Sequence, residues 1–409
     1  MKILLLHDYG TATGGAELQM LFLRQNLRDR GHQVRLFSSC ATSVPGSKLL
    51  SDDQCFGTTS PLQVISQVVN FSAYWQLRQV LQTFRPDIVH IRMFLWQLSP
   101  LILPLLRNVP CIYQTAIYKV ICPLGTKILP NNSHCQEQVG PACWQQGCLT
   151  LQSWAFLMVQ HQLWQRWRGA IDLITALSQA MRVKLEREGI GPVEVVYNGV
   201  PERSLRPPLA DPPTIAYAGR LVPEKGVQVL LNALKFVKAQ IPSVRLLVAG
   251  QGTQQAELQA LSAQLGLTDN VFWLGHLSRA ELEQKFEAAW VQVVPSLWEE
   301  PFGNVTTEAM MRGTAAIASA VGAQPEIIRD GQTGFLVPPN DAEALGAASV
   351  KILQNRSLAE QLGRAGRDRA LTHFSESACT ERFLEIYRRL LTFRQFPQTS
   401  ALELGDGVR

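Results

Sequence analysis

The run TIAYAGRLVPEKG at residues 214–226 is followed by VQVLLNALKFVKAQ at 227–240 and VRLLVAG at 244–250. The first and last pieces carry short apolar runs bounded by glycine, and the middle piece spaces its apolar residues as a helix does, so the unit reads strand, helix, strand. Strands that are apolar on both faces and joined by a crossover helix belong to a parallel sheet covered on both sides. Working outward, the alternation continues with a helix at Gln254–Leu265, a strand at Val271–Leu274, a helix at Ser278–Ala289 and a strand at Val291–Pro295. A helix near Val305–Arg312 and strands at Ala315–Ala320 and Gly334–Val337 complete this half. Upstream, the same rhythm runs through Ile3–Leu6, Glu17–Arg30, Val34–Phe37, Ser72–Phe84, Asp87–Ile91 and Cys111–Thr115.

Between the two runs lies Pro201–Pro213, with five prolines in 13 residues, which is linker chemistry. The expected fold class is therefore α/β, with two Rossmann-like, doubly wound domains facing each other across a cleft. The first covers 1–200, with a cysteine- and tryptophan-rich insert at about 122–168; the second covers 201–374. Helical patterns at Asp341–Gln354 and Leu358–Thr372 close the second, a further helix spans 375–395, and a tail at 396–409 is expected to be untethered.

Composition agrees with such a chain. Of 409 residues 46% are hydrophobic and 17% charged, enough for two cores and unlike a disordered chain. The net charge of +5 is unevenly placed: residues 1–200 carry 17 Lys and Arg against 11 Asp and Glu. An anionic surface or ligand is thus expected to meet the first half. His7 and Asp8 cut the apolar run Ile3–Leu6 too short for a leader, and no stretch reaches the ~18 apolar residues of a membrane span. The expected location is cytoplasmic, peripheral at the inner face of a membrane. Eight cysteines in a chain of this length do not make a secreted disulfide scaffold.

Three segments carry chemistry. The first, Pro295-Ser296-Leu297-Trp298-Glu299-Glu300-Pro301-Phe302-Gly303-Asn304, leaves a strand and opens a helix, so the amides of Phe302, Gly303 and Asn304 lack intrahelical partners and form an anion site. Glu300 in the loop and Glu308 in the helix are carboxylates, pure acceptors suited to hydroxyl groups. The second segment, Gly219 to Gly226, follows the first strand of its half, where ligands of open α/β sheets bind. There Arg220 supplies a fork and Lys225 a point charge for a diphosphate. The third, Thr11 to Glu17 with Gly14 and Gly15, lacks the dinucleotide fingerprint but permits close approach from the opposite wall. No Asp-x-Asp occurs, so the usual cue for a metal-bridged diphosphate is missing, and Arg220, Lys225 and helix N-termini would neutralise the leaving group instead.

Gly219–Gly226, Gly250-Gln251-Gly252, Gly275-His276-Leu277, Glu300-Pro301-Phe302-Gly303 with Glu308, and Gly322 with Glu326 resemble, in order and spacing, the GT-B-fold retaining glycosyltransferases of family 4, also called group 1. In the first half the resemblance rests on Gly14-Gly15 and Asp87-Ile88-Val89-His90. It implies that Glu308 holds a ribose, Glu300 a hydroxyl of a donor sugar, and Arg220 and Lys225 a diphosphate. Gly15 would approach that diphosphate, Leu277 would contact the base through its backbone, and helix 375–395 would cross back to the first half. The implied catalytic residues are Glu300, Arg220 and Lys225. The implied donor contacts are those three with Gly15, Leu277, Phe302, Gly303, Asn304 and Glu308. A nucleotide diphosphate sugar is the expected donor substrate, with no cofactor and no catalytic metal required.

One departure matters. Members with a stretch like Tyr118-Lys119-Val120-Ile121-Cys122-Pro123 commonly carry His-Asp before the tyrosine, whereas here Ala116-Ile117 precede it. His7, His90 and His276 are the substitutes to weigh, against the reading that each is simply structural. Cys122, Cys135, Cys143 and Cys148 are four thiols that either bind a structural zinc or stay free. The helix expected at Leu151–Trp167 puts Trp154, Trp164 and Trp167 beside Arg166 and Arg168; its aromatic face is either buried core or a membrane-interface contact. The expected acceptor carries a hydroxyl, with a lipid-linked compound at an anionic membrane surface favoured; no nucleic acid is expected as partner.

Overall fold

The computed structural model describes residues 1–42, 44, 46–131 and 133–395. The expected tail at 396–409 lies outside the described residues. Two wholly parallel sheets form. The first contains β1 (Lys2–Tyr9), β2 (Gln33–Ser39), β3 (Asp53–Cys55), β4 (Ile88–Ile91), β5 (Cys111–Gln114), β6 (Leu173–Ala176) and β7 (Val193–Val195), in spatial order 3-2-1-4-5-6-7. The second contains β8 (Thr214–Ala218), β9 (Arg245–Ala249), β10 (Val271–Gly275), β11 (Val291–Val294), β12 (Ala315–Ser319) and β13 (Phe335–Val337), in order 10-9-8-11-12-13. Both are Rossmann-like, and the fold is GT-B.

Ile3, Leu4, Leu5 and Leu6 are fully buried because helices cover both faces of β1. Register is set along the central strands, with Ile3 opposite Val34 on β2 and Ile88 on β4, and Ile215 opposite Leu246 on β9 and Val291 on β11. In each sheet the winding reverses beside the first strand, between β1 and β4 and between β8 and β11. The loops after those strands therefore diverge and leave a crevice at their C-terminal ends. Strands β3, β6 and β7, which the apolar runs do not single out, sit away from the centre of the sheet and are three or four residues long.

The two sheets are joined by packing as well as by chain. Phe302 is 5% exposed and lies between Tyr197 and Phe374, with ring centroids 6.0 and 5.8 Å away. One apolar cluster runs from β1, β4 and β5 through these rings to Met310, Ala316 and Ile327 of the second half. The chain returns at Val200, whose N–H donates to the Phe374 carbonyl at 2.7 Å and whose carbonyl accepts from Glu376 N–H at 3.1 Å. Gly199 permits this crossing, since a Cβ there would lie 2.6 Å from Glu376 Cα. The helix Glu376–Gln395 then packs Phe383, Leu384, Ile386 and Tyr387 against Ile3, Leu5 and Ile88.

The helix Leu151–Trp167 starts at Thr150, whose hydroxyl accepts from Ser153 N–H. Its tryptophans turn inward: Trp164 is 1% exposed, ringed by Phe94 and Tyr113, and Trp154 Nε1 donates to the Gly140 carbonyl at 2.9 Å. The outer face carries exposed Leu151, Phe156 and Val159, while Trp164 and Trp167 pack against the core of the first half. No helix among the described residues is long and apolar enough to cross a membrane. Cys122, Cys135, Cys143 and Cys148 line one apolar pocket of about 400 Å³, yet among the described residues no three metal-ligating side chains are placed to hold an ion. All eight cysteines are free thiols, and burial raises the pKa of Cys143 and Cys148, so these thiols contribute packing.

Candidate functional site

A cleft of about 720 Å³ opens where the two sheets face each other. Gly15, Ala16, Arg92, Ala116 and Asn198 form one wall; Lys225, Trp298, Glu300, Phe302 and Asn304 are on the other. The first wall is close because residue 15 is glycine: a Cβ there would already sit 3.4 Å from Asn304 Nδ2. Across the gap Asn198 Nδ2 donates to Asn304 Oδ1 at 3.0 Å. Helix Asn304–Met311 thus points its N-terminus, with its unpaired amides and positive dipole end, into the cleft. The Phe302 side chain is in the core, so only its backbone is available to a ligand, and Gly303 is held tight because a Cβ would meet Gln324 Nε2 at 2.7 Å.

Lys225 and Glu300 meet in this cleft. Lys225 Nζ donates to Glu300 Oε1 at 2.6 Å, and Ser296 Oγ donates to the same oxygen at 2.5 Å. The ammonium also lies 5.4 Å from the Trp298 ring centroid. Glycines build the approach. Gly226 has φ +65°, and a Cβ there would lie 2.1 Å from the Pro295 carbonyl, so only glycine lets the Lys225 turn pack on the β11 loop. Gly322, at φ +57°, packs on the Glu300 backbone, where a Cβ would be 2.6 Å from both its N and its O.

A second pocket, of about 560 Å³, lies at the C-terminal ends of β8, β9 and β10 and is lined by Arg220, Gly250, His276 and Leu277. Arg220 is well exposed at its mouth and pairs with Glu224 at 3.2 Å. Glu308 is in neither lining: its carboxylate is paired with Arg279, a residue the motifs do not single out. The Arg279 guanidinium stacks over Phe22 of the first half, 5.4 Å from the ring centroid. The only local signal near it is the Ser278 to Glu281 capping box that starts its helix.

Ala116 lines the cleft, so the missing histidine is missing from the site itself. Two of the candidate substitutes are excluded by position. His7 and His90 are fully buried behind the strands, and burial lowers both pKa values to about 3. His90 Nδ1 is engaged by Tyr387 Oη at 2.6 Å, and His7 Nδ1 by the Tyr9 backbone. His276 belongs to the second pocket.

The loop carrying Glu300 is gripped from the first half, a contact no motif announces. Trp298 Nε1 donates to the Thr126 carbonyl at 2.8 Å, Tyr118 Oη donates to the Glu299 carbonyl at 3.1 Å, and His134 Nε2 lies 3.0 Å from the Leu297 carbonyl. Lys184 pairs with Glu299. Glu326 accepts from the Gln179 and Ala180 amides at 2.7 and 2.8 Å, placing a carboxylate at the N-terminus of helix Gln179–Arg187.

Two Rossmann-like sheets enclosing a cleft with a cation, a carboxylate and a helix N-terminus define a GT-B protein. Residues 14–199 match the glycosyl transferase 4-like domain and residues 204–369 match glycosyl transferases group 1. The chain belongs to this family, the group 1, or family 4, glycosyltransferases. It is 34% identical over 229 residues to a phosphatidyl-myo-inositol mannosyltransferase of Mycobacterium leprae, covering 54% of this chain and 60% of that relative's length. It is 28% identical over 310 residues to a glycogen synthase of Mycobacterium tuberculosis, covering 75% of this chain and 69% of the relative. Among solved structures, a sucrose-phosphate synthase from Thermosynechococcus elongatus superposes with TM-score 0.71 at 23% identity, over 96% of this chain and 99% of that one. Anabaena HepE in complex with UDP and glucose gives 0.64 at 20% identity, over 95% and 99%. These likenesses show the fold.

Proposed function

We propose that this chain is a retaining glycosyltransferase that moves a sugar from a nucleotide diphosphate sugar to a hydroxyl acceptor. The observation that carries the reading is the convergence of Lys225, Glu300 and the amides of helix Asn304–Met311 on one cleft, with Gly15 closing on it from the other wall. In this reading the second half, 201–374, holds the donor and the first half, 1–200, the acceptor. Lys225, Arg220 and the helix N-terminus neutralise the diphosphate. Glu300, released from Lys225 as the anion draws the ammonium away, accepts from a sugar hydroxyl. Glu308 takes the ribose hydroxyls and Leu277 contacts the base.

The transfer proceeds on one face of the sugar. The bond from the anomeric carbon to the diphosphate oxygen breaks, the acceptor oxygen bonds to that carbon on the same side, and the acceptor proton passes to the departing diphosphate. No protein base is required, which accommodates Ala116. No metal is required either, because cations and amides carry the leaving-group charge. A relative named for phosphatidyl-myo-inositol supports a glycolipid acceptor, and in this reading the transfer serves glycolipid or cell-surface polysaccharide synthesis at the cytoplasmic face of a membrane.

A second reading, a nucleotide-sugar binder without turnover, draws on Ala116 in the cleft. Both are tested by thermal shift against a panel of nucleotide sugars, followed by nucleotide release with an acceptor panel and NMR of the product anomer, with and without chelator. Donor stabilisation, release and a retained anomer are expected. Tight donor binding with no release for any acceptor would establish the binder, and an inverted anomer or chelator-sensitive turnover would overturn the mechanism.

A further inference from the structure

The wall of the cleft facing the Glu300 loop carries a cation without a counter-ion. Arg92 follows β4 directly, lines the cleft and is 3% exposed. Its Nη1 donates to Gln114 Oε1, its Nη2 donates to Asn198 Oδ1 at 2.9 Å, and among the described residues its Nε has no partner. Both partners are neutral amides, and among the described residues no ion pair reaches Arg92. Two of the guanidinium's five N–H groups are engaged, which leaves donors for a ligand. Burial pulls its pKa down to about 10, and Glu17 and Cys379 act on it only through the field. A buried guanidinium held by amides alone is costly unless an anion joins it.

Position narrows which anion. Donor phosphates are already served from the second sheet by Lys225, Arg220 and the helix N-terminus. Arg92 stands across the gap, and Asn198 couples it to Asn304 at that helix start. We propose that Arg92, with Asn198, binds the oxyanion of an anionic acceptor, a phosphate ester that also carries the hydroxyl to be glycosylated. This rests on the glycosyl-transfer reading and adds to it the acceptor's charge. The planar fork suits bidentate contact with phosphate, and Asn198 fixes its orientation. The phosphate belongs to a free polyol or sugar phosphate or to a phospholipid headgroup.

The test uses the full chain with saturating UDP, which occupies the donor phosphates, and titrates inorganic phosphate by thermal shift and calorimetry. Wild type is expected to bind phosphate saturably, Arg92→Gln at least tenfold more weakly, and Arg92→Lys in between. UDP affinity is expected to change less than twofold in either variant, which also shows that they fold. Arg312 is also buried and likewise donates to a neutral amide, that of Gln292, but lies outside the cleft lining. Arg312→Gln should therefore leave phosphate binding intact. Phosphate binding that is absent in wild type, or equal in Arg92→Gln, overturns the proposal. So does a tenfold loss of UDP affinity in Arg92→Gln, which would assign Arg92 to the donor. If wild type binds none of UDP, GDP, ADP and dTDP the donor reading fails separately, and phosphate binding lost in Arg92→Gln but kept in Lys225→Ala still supports the subsite, while the reverse overturns it. Glycerol 3-phosphate against phosphatidylglycerol vesicles as competitors separates the free ester from the headgroup.

Discussion

Glu300 shares one carboxylate oxygen between Lys225 and Ser296, so the cation and the carboxylate that line the cleft are paired with each other. Removing the ammonium leaves a largely buried carboxylate facing the place where a diphosphate would sit. Lys225→Ala should therefore lower donor turnover on the order of a hundredfold, read as kcat/KM with the thermal midpoint as folding control. Near-wild-type kinetics would break the assignment. The buried histidines give a pH dependence. His7 and His90 have folded pKa values of about 3 against an ordinary 6.5, so below that value the unfolded chain binds the extra protons. Stability should fall as pH drops from 6.5 toward 3. Asp8 opposes this: burial raises its pKa to about 6 from 3.8, so within that window folding is favoured by protonation and offsets one of the two histidines. Urea midpoints measured between about pH 7 and about pH 4 should decline, and His90→Gln should flatten the decline.

Helix Glu376–Gln395 illustrates how an element at one end of the chain completes a sheet at the other. Its Phe383, Leu384 and Tyr387 supply the apolar cover for Ile3 and Leu5, and Tyr387 Oη holds His90 Nδ1 at 2.6 Å in the core. Tyr387→Phe would leave the buried His90 Nδ1 without that partner. The expected cost is about 1–3 kcal/mol, read from urea unfolding. An unchanged midpoint would show that the hydroxyl contributes nothing. The helix's apolar spacing is legible in the sequence at Ser375–Phe393. That spacing alone does not name the surface covered, because an apolar stripe specifies that something must be covered and not which sheet; the return to the first half is what the family resemblance implies.

At the scale of the molecule, the two halves are held by the apolar cluster around Phe302, by contacts to the loop carrying Glu300 and by polar contacts beyond it. Glu326 is one of them, accepting from two amides of helix Gln179–Arg187. Glu326→Ala removes both bonds and the favourable charge at that helix start. The expected result is a larger radius of gyration in solution scattering and faster amide exchange at residues 179–181, with the cores of both sheets unaffected. Scattering and exchange identical to wild type would show that the Trp298, Tyr118 and Lys184 contacts suffice.

Apolar periodicity by itself determined the α/β class, the parallel sheets and most central strands, because a strand covered on both faces must be apolar at every position. The loop motifs marked Gly15 and Gly226, and the family resemblance marked Gly322; at 226 and 322 the structure shows a backbone too close for a Cβ. Only the tertiary structure decided the rest. That Arg279 pairs with Glu308, that Arg92 faces Lys225, and that His7 and His90 are buried behind the strands depend on where separate loops end in space. The inward turn of the tryptophans and the dispersal of the four thiols around an apolar pocket depend likewise on which surfaces pack together. Local patterns encode the conformation of a segment and the need to bury a face, whereas the neighbour that meets that face is set by the packing of the whole chain.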